Sequence, residues 1–255
     1  MPPPLIVCYH AVSAGWDSPL AVSEEVLGAQ LGGLHRRGYQ GFTFAEAERL
    51  RADGTLPRRS VVVTFDDGYA STAKARPVLN RLGWPATVFA VTSFTASGTD
   101  LAWPGTEHWA ATPHAHELEP LGWDDLAELA AAGWEVGSHT VSHPLLPTLG
   151  DDALARELEG SRKAIADRLG RCESIAYPYG AVDRRVAAAA AAAGYVAGCT
   201  LPSALTIDEP HLRPRVGLYE RDTGARLWLK VSRIGVRARR SRLAGAVLGP
   251  PWARA

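Results

Sequence analysis

Residues 60–69 read SVVVTFDDGY: three valines in a row, then Thr64 and Phe65, then two adjacent acids and a glycine. An apolar run without alternation predicts a strand buried on both faces, the habit of parallel sheets and barrels. In such folds the C-terminal ends of the strands surround the active site. Asp66 and Asp67 therefore arrive where catalytic groups are expected. Asp-Asp-Gly is also ordinary turn chemistry, so the rest of the chain has to choose between a turn and a site.

Outward from this stretch, short apolar runs alternate with helical patterns. Strands are predicted at Leu5–Tyr9, Val61–Phe65, Ala86–Val91, Trp134–Ser138, Ser174–Tyr177 and Tyr195–Cys199, with a late one near Arg215–Leu218. Helices are predicted at Ser23–Arg37, Phe44–Arg51, Ala70–Leu82, Trp123–Ala132, Asp151–Leu169 and Asp183–Ala193, several of them stopped by a glycine. Strand–helix alternation of this kind specifies an α/β fold with a parallel sheet or barrel. The stretch Thr92–Leu121 shows no such period and reads as one long irregular loop. It carries Trp103, Trp109, His108, His114 and His116, either to meet a ligand or to pack as a small satellite core.

The 255 residues suffice for one large domain. With 27 basic and 27 acidic residues the formal charge is zero, so no global field points to nucleic acid. Cys8, Cys172 and Cys199 form no CxxC pair, which argues against a zinc ribbon or a disulfide framework. The opening MPPPLIVCYHAV has no basic region, long apolar stretch or small-residue cleavage site. No run approaches the ~18 apolar residues of a membrane span, and the chain is read as cytoplasmic. Residues 1–234 are taken as the catalytic unit and 235–255, with RARRSR, as a basic tail.

Two further segments follow predicted strands. GSHTVSH, residues 137–143, spaces His139 and His143 four apart, so a single helical turn would aim both imidazoles the same way. Two histidines and one carboxylate are a common ligand set for a hydrolytic metal that keeps a position open. AYPYG, residues 176–180, joins a stiffening proline to a permissive glycine. A rigid turn of this sort can hold a backbone N–H towards a developing oxyanion, worth about 3 kcal/mol in a transition state.

In this order TFDDG (64–68), HTVSH (139–143) and YPYG (177–180) resemble the polysaccharide deacetylase family, as do YHAV (9–12), PATVF (85–89) and WEVGSHT (134–140). The resemblance spans roughly residues 5–220. It implies a distorted (β/α) barrel of about seven strands in a single domain, and a de-N-acetylase acting on an N-acetylated glycan. It implies that Asp67, His139 and His143 hold a divalent metal, with zinc the expected ion, and that Asp66 is the general base. The Tyr179 N–H would then help to hold the oxyanion. An O-acetyl esterase, an amidase for a non-sugar amide, or a glycan-binding module with weak turnover would share the same fold.

The chain departs from the family pattern at two places. Many members carry an arginine just before the PYG turn to orient the base, whereas here the residues are Ile175 and Ala176; Arg215 is the expected substitute from a later strand. The late Leu-x-His motif, whose histidine protonates the leaving amine, is missing. His10 and His211 are the available replacements, with His10 the better placed because it ends the first strand.

Overall fold

The structure, a computed structural model, describes residues 3–201 and 209–232. The valine run is buried throughout and forms part of the strand Ser60–Phe65. In chain order the strands are β1 (Leu5–Tyr9), β2 (Ala11–Val12), β3 (Ala21–Val22), β4 (Gln40–Phe42), β5 (Ser60–Phe65), β6 (Thr87–Ala90), β7 (Glu135–Ser138), β8 (Ser174–Ala176), β9 (Ala197–Thr200), β10 (Arg213–Pro214) and β11 (Val216–Gly217). The helices are α1 (Glu24–Arg36), α2 (Phe44–Ala52), α3 (Arg76–Leu82), α4 (Thr92–Ser97), α5 (Trp123–Ala131), α6 (Asp151–Leu169), α7 (Arg184–Ala192) and α8 (Gly224–Val231).

β5 pairs with β1 along its length, Val61 opposite Leu5 through to Phe65 opposite Tyr9. Its other edge is divided between β4 at the start and β6 at the end. The sheet continues in parallel through β7, β8 and β9. β10 and β11 are two halves of one segment interrupted only by Arg215: β10 pairs with β9, and β11 pairs with β1. That segment bridges the two ends of the sheet, giving a nearly closed parallel barrel of seven staves when β10 and β11 count as one. Closure leaves few free backbone edges. The short β2–β3 pair lies outside this sheet.

The pleat explains why β5 is apolar without alternation. Val61, Val63 and Phe65 belong to the core between sheet and helices. Val62 turns inward to meet Ile6, Phe89, Ala176, Ala197 and Cys199, with Phe44 and Ala47 of α2 in the same cluster. Both faces bury apolar side chains, which stabilises the fold by about 25 cal/mol for each Å² withdrawn from water. Crowding inside is severe at Gly137, where an added Cβ would lie 2.5 Å from the Phe89 ring.

The six strands predicted ahead of the last stave and all six helices form, with ends shifted by a few residues. Ala70–Leu82 divides into a 3-10 turn, Ala70–Ala75, and α3. The late strand begins at Arg213 rather than Arg215, because it has to reach β9 before it reaches β1. The stretch 92–121 is more ordered than its sequence suggests, holding α4 and 3-10 turns at Glu107–Ala111 and Ala115–Leu118. β4 is too short to carry a sequence signal, and α8 is not among the predicted helices although its apolar residues gather on one face. The basic stretch 235–255 lies outside the described residues. Among the described residues no helix is long and apolar enough to cross a membrane.

Candidate active site

Beyond β5 the chain keeps Asp66 in the inward series of Val62 and Thr64, then reverses at Asp67 and Gly68, with φ of 70° and 76°. The reversal brings Asp67 Oδ1 to 3.2 Å from His139 Nε2 and 3.4 Å from His143 Nε2. All three side chains are buried. His139 Nδ1 is 2.8 Å from the Ala176 carbonyl, which can only accept, so Nδ1 carries a proton while Nε2 faces Asp67.

The helical turn expected across 139–143 does not form. Thr140 and His143 have φ of 71° and 61°, outside the helical region. Side chains hold this turn. Ser138 Oγ accepts from the Thr140 N–H at 3.0 Å, and Thr140 Oγ1 accepts from the His143 N–H at 3.0 Å. Glu157 of α6 accepts from the N–H groups of Val141 and Ser142 at 2.8 and 3.0 Å. The positive-φ non-glycine residues among the described residues are Asp67, Thr140, His143 and Tyr179, all within the three quoted motifs. Backbone strain concentrated in this way marks functional sites.

Asp66 has different company. Arg215 donates to both of its oxygens, Nη1 to Oδ1 and Nη2 to Oδ2, each at 2.6 Å, and Nη1 also donates to Thr64 Oγ1 at 3.0 Å. The Cys8 thiol donates to Asp66 Oδ2 at 3.5 Å. Arg215, the substitute expected from a later strand, thus meets Asp66 because the closing stave carries it into the barrel.

Burial alone would raise the Asp66 carboxyl pKa, but Arg215, and after it His139, hold it below the ordinary range. Asp67 is also driven down, because hydrogen bonds to His139 and His143 outweigh its burial. Burial favours neutral imidazoles. At His139 the hydrogen bond to Asp67 and the charge of Asp66 reverse that and the pKa rises, whereas at His143 burial prevails and it falls.

Tyr179 has a φ of 60° in the turn Pro178–Gly180, and its N–H has no hydrogen-bond partner among the described residues. His10 follows β1 and lines a cleft of about 190 Å³ with Asp66, Asp67, His139, His143 and Tyr179. His211 is elsewhere: its Nε2 bonds the Tyr195 carbonyl at 2.8 Å and its own carbonyl accepts from Tyr177. Trp103 is buried and stacked on His143, and Trp109 is half-buried against Trp16 and His114. Neither the Trp103 contact nor the role of Glu157 as a loop anchor has a signal in the sequence, since each depends on elements distant along the chain.

The Asp67, His139 and His143 donors fit a tetrahedral divalent metal. Bonds of about 2.0–2.1 Å set donor–donor edges of about 3.3 Å, against 3.2 and 3.4 Å here. Cys8, His10 and Asp66 also lie together. That group fits a metal poorly, because Arg215 occupies both Asp66 oxygens and burial pushes the Cys8 thiol pKa up, away from thiolate.

Acids and imidazoles gathered at the strand ends of a barrel can bind a metal and move protons, and the sequence model for polysaccharide deacetylases matches residues 53–198. The chain belongs to the polysaccharide deacetylase family. It is 29% identical over 208 residues to YxkH of Bacillus subtilis, whose name places it among these enzymes; the match covers 80% of this chain and 67% of that protein. It is 34% identical over 83 residues to the poly-beta-1,6-N-acetyl-D-glucosamine N-deacetylase of Escherichia coli K12, covering 32% of this chain and 12% of that protein. The fold is shared with the Streptococcus pyogenes deacetylase PplD, with a TM-score of 0.74, 23% identity, and 89% and 97% of the two chains covered. It is shared too with IcaB from Ammonifex degensii, with a TM-score of 0.71, 24% identity, and 94% and 97% covered.

Proposed function

We propose that this chain is a metal-dependent deacetylase that removes acetyl from an N-acetylated sugar of a glycan. One observation carries the reading: two neighbouring carboxylates are given separate partners, Asp67 the two imidazoles and Asp66 the guanidinium. Asp67, His139 and His143 hold the metal, for which zinc suits the donors best. Such a metal, when bound, acidifies water and polarises an acyl oxygen.

The remaining roles belong to the chain. Asp66 takes a proton from the attacking water; a carboxylate has lone pairs beyond the two that Arg215 occupies. Arg215 fixes the orientation of Asp66 and keeps it ionised. The Tyr179 N–H donates to the oxyanion as the carbonyl becomes tetrahedral. His10 gives a proton to the departing nitrogen, so that acetate and a free amine leave. The match to the Escherichia coli N-deacetylase supports the N-acetyl bond as the one cleaved.

The test is acetate release by the zinc-loaded protein from N-acetylated and O-acetylated glycans in parallel. Release from the N-acetyl substrate, a loss of about 10²- to 10⁴-fold in Asp66→Asn, and full zinc retention in that variant are expected. Substantial turnover by Asp66→Asn removes Asp66 from the base role. Preference for the O-acetyl substrate makes the protein an esterase.

A further inference from the structure

His139 and His143 present Nε2 to the same Asp67 oxygen, but their other ring nitrogens have different surroundings. His139 Nδ1 donates to the Ala176 carbonyl. His143 Nδ1 is buried and has no hydrogen-bond partner among the described residues. A metal-ligating histidine is ordinarily oriented by a hydrogen bond at its second nitrogen. Without one, the imidazole needs another restraint, because the side-chain torsion that turns the ring has only a broad, shallow preference.

Aromatic rings supply it. The Trp103 indole lies against the His143 imidazole with centroids 4.0 Å apart and planes 22° from parallel. Tyr179 closes the edge at 4.6 Å and 65°. Trp103 is itself secured: its backbone N–H donates to Thr106 Oγ1 at 3.1 Å, Thr106 Oγ1 donates to the Leu101 carbonyl at 2.9 Å, and Phe94 packs edge-on at 5.6 Å.

We propose that Trp103 is a positioning residue for His143, its stacked indole restraining this imidazole as the Ala176 carbonyl restrains His139, and that the stack sets how tightly the site holds a divalent metal. The inference rests on the metal-site reading above. Coordination draws electron density from an imidazole and makes its face more positive, while the indole face is negative, so the stack strengthens as metal binds. Its removal therefore registers in affinity as well as in fold stability. The stretch 92–121, read from sequence as a ligand-contacting loop or a satellite core, thus packs down on the site and braces it.

The experiment is a zinc titration in competition with a chromophoric chelator, together with the visible spectrum of the cobalt-substituted protein and thermal unfolding of the metal-free forms. Trp103→Leu is expected to weaken zinc by about 10- to 100-fold and to alter the cobalt spectrum, with Trp103→Phe recovering most of the loss. Trp109→Ala, in the same segment but packed on Trp16 and His114, is expected to keep parental affinity. A folded Trp103→Leu with parental affinity and spectrum overturns the proposal. Should that variant fail to fold, Thr106→Val decides: it releases the segment carrying Trp103, and less than about a threefold loss overturns the proposal equally. A parent that binds no zinc brings down the metal-site reading itself, whereas a parent and Trp103→Leu that bind alike sink only this inference.

Discussion

Asp66 and Asp67 are neighbours with the same side chain, yet one reversal of the backbone sends them to different partners. Asp66 continues the inward face of β5 and meets Arg215, while the φ of 70° at Asp67 swings the second carboxylate to the imidazoles. The Asp66–Arg215 pair is buried, so removing one partner leaves a charge that neither water nor protein compensates. Arg215→Met is expected to cost about 3–5 kcal/mol in urea unfolding. Adding Asp66→Asn to that variant is expected to restore part of the loss, because the stranded charge is then gone. Equal stability of Arg215→Met and the parent would mean the pair contributes little. Arg215→Lys is expected to fall well short of the parent in turnover, since an ammonium cannot span both oxygens.

The elements contribute by what they bring to the turns. The 139–143 turn draws its register from Ser138 and its backbone partners from Glu157 on α6. Glu157→Ala is therefore expected to weaken zinc by about tenfold while the far-ultraviolet circular dichroism stays unchanged. Unaltered affinity would show that the turn stands without α6. At the foot of β7, Glu135 accepts from the Ala45 N–H at 2.8 Å, Thr87 Oγ1 at 3.0 Å and Ser174 Oγ at 2.5 Å. Burial nevertheless outweighs these bonds and raises its pKa.

A carboxyl raised in the folded state contributes stability that is full below its unfolded pKa and lost as pH rises through the folded one. Glu135→Gln carries no charge at any pH, so its Tm relative to the parent is expected to rise as pH climbs from the ordinary carboxylate range through the raised pKa of Glu135. A difference that does not change with pH would contradict this.

At the scale of the molecule, the decisive feature is the stave Arg213–Gly217, which ties β9 to β1 and places Arg215 inside the barrel. The family match ends at residue 198, short of it. A chain ending at Leu201 is expected to lose cooperative urea unfolding, since two parallel edges open and Asp66 loses its counter-ion together. A chain ending at Ile234 is expected to unfold cooperatively and to bind zinc as the parent does. Failure of that second truncation would place residues 235–255 within the functional unit.

By itself the sequence determined most of the strands and helices and set acids and histidines at the strand ends. The two-faced burial of β5, the helix stops at glycine and the acids and histidines after the strands are local patterns, written in neighbouring residues. Tertiary structure alone decided which groups meet. His139 and His143 converge through a strained turn held by side chains rather than through a helical step, because Glu157 and Ser138 offer hydrogen bonds that outweigh helical φ. His10 rather than His211 faces the cleft, since His211 is engaged by the Tyr195 carbonyl. Arg215 reaches Asp66 from 149 residues away. Such a contact depends on closure of the barrel, a property of the whole sheet that no local window of the chain contains.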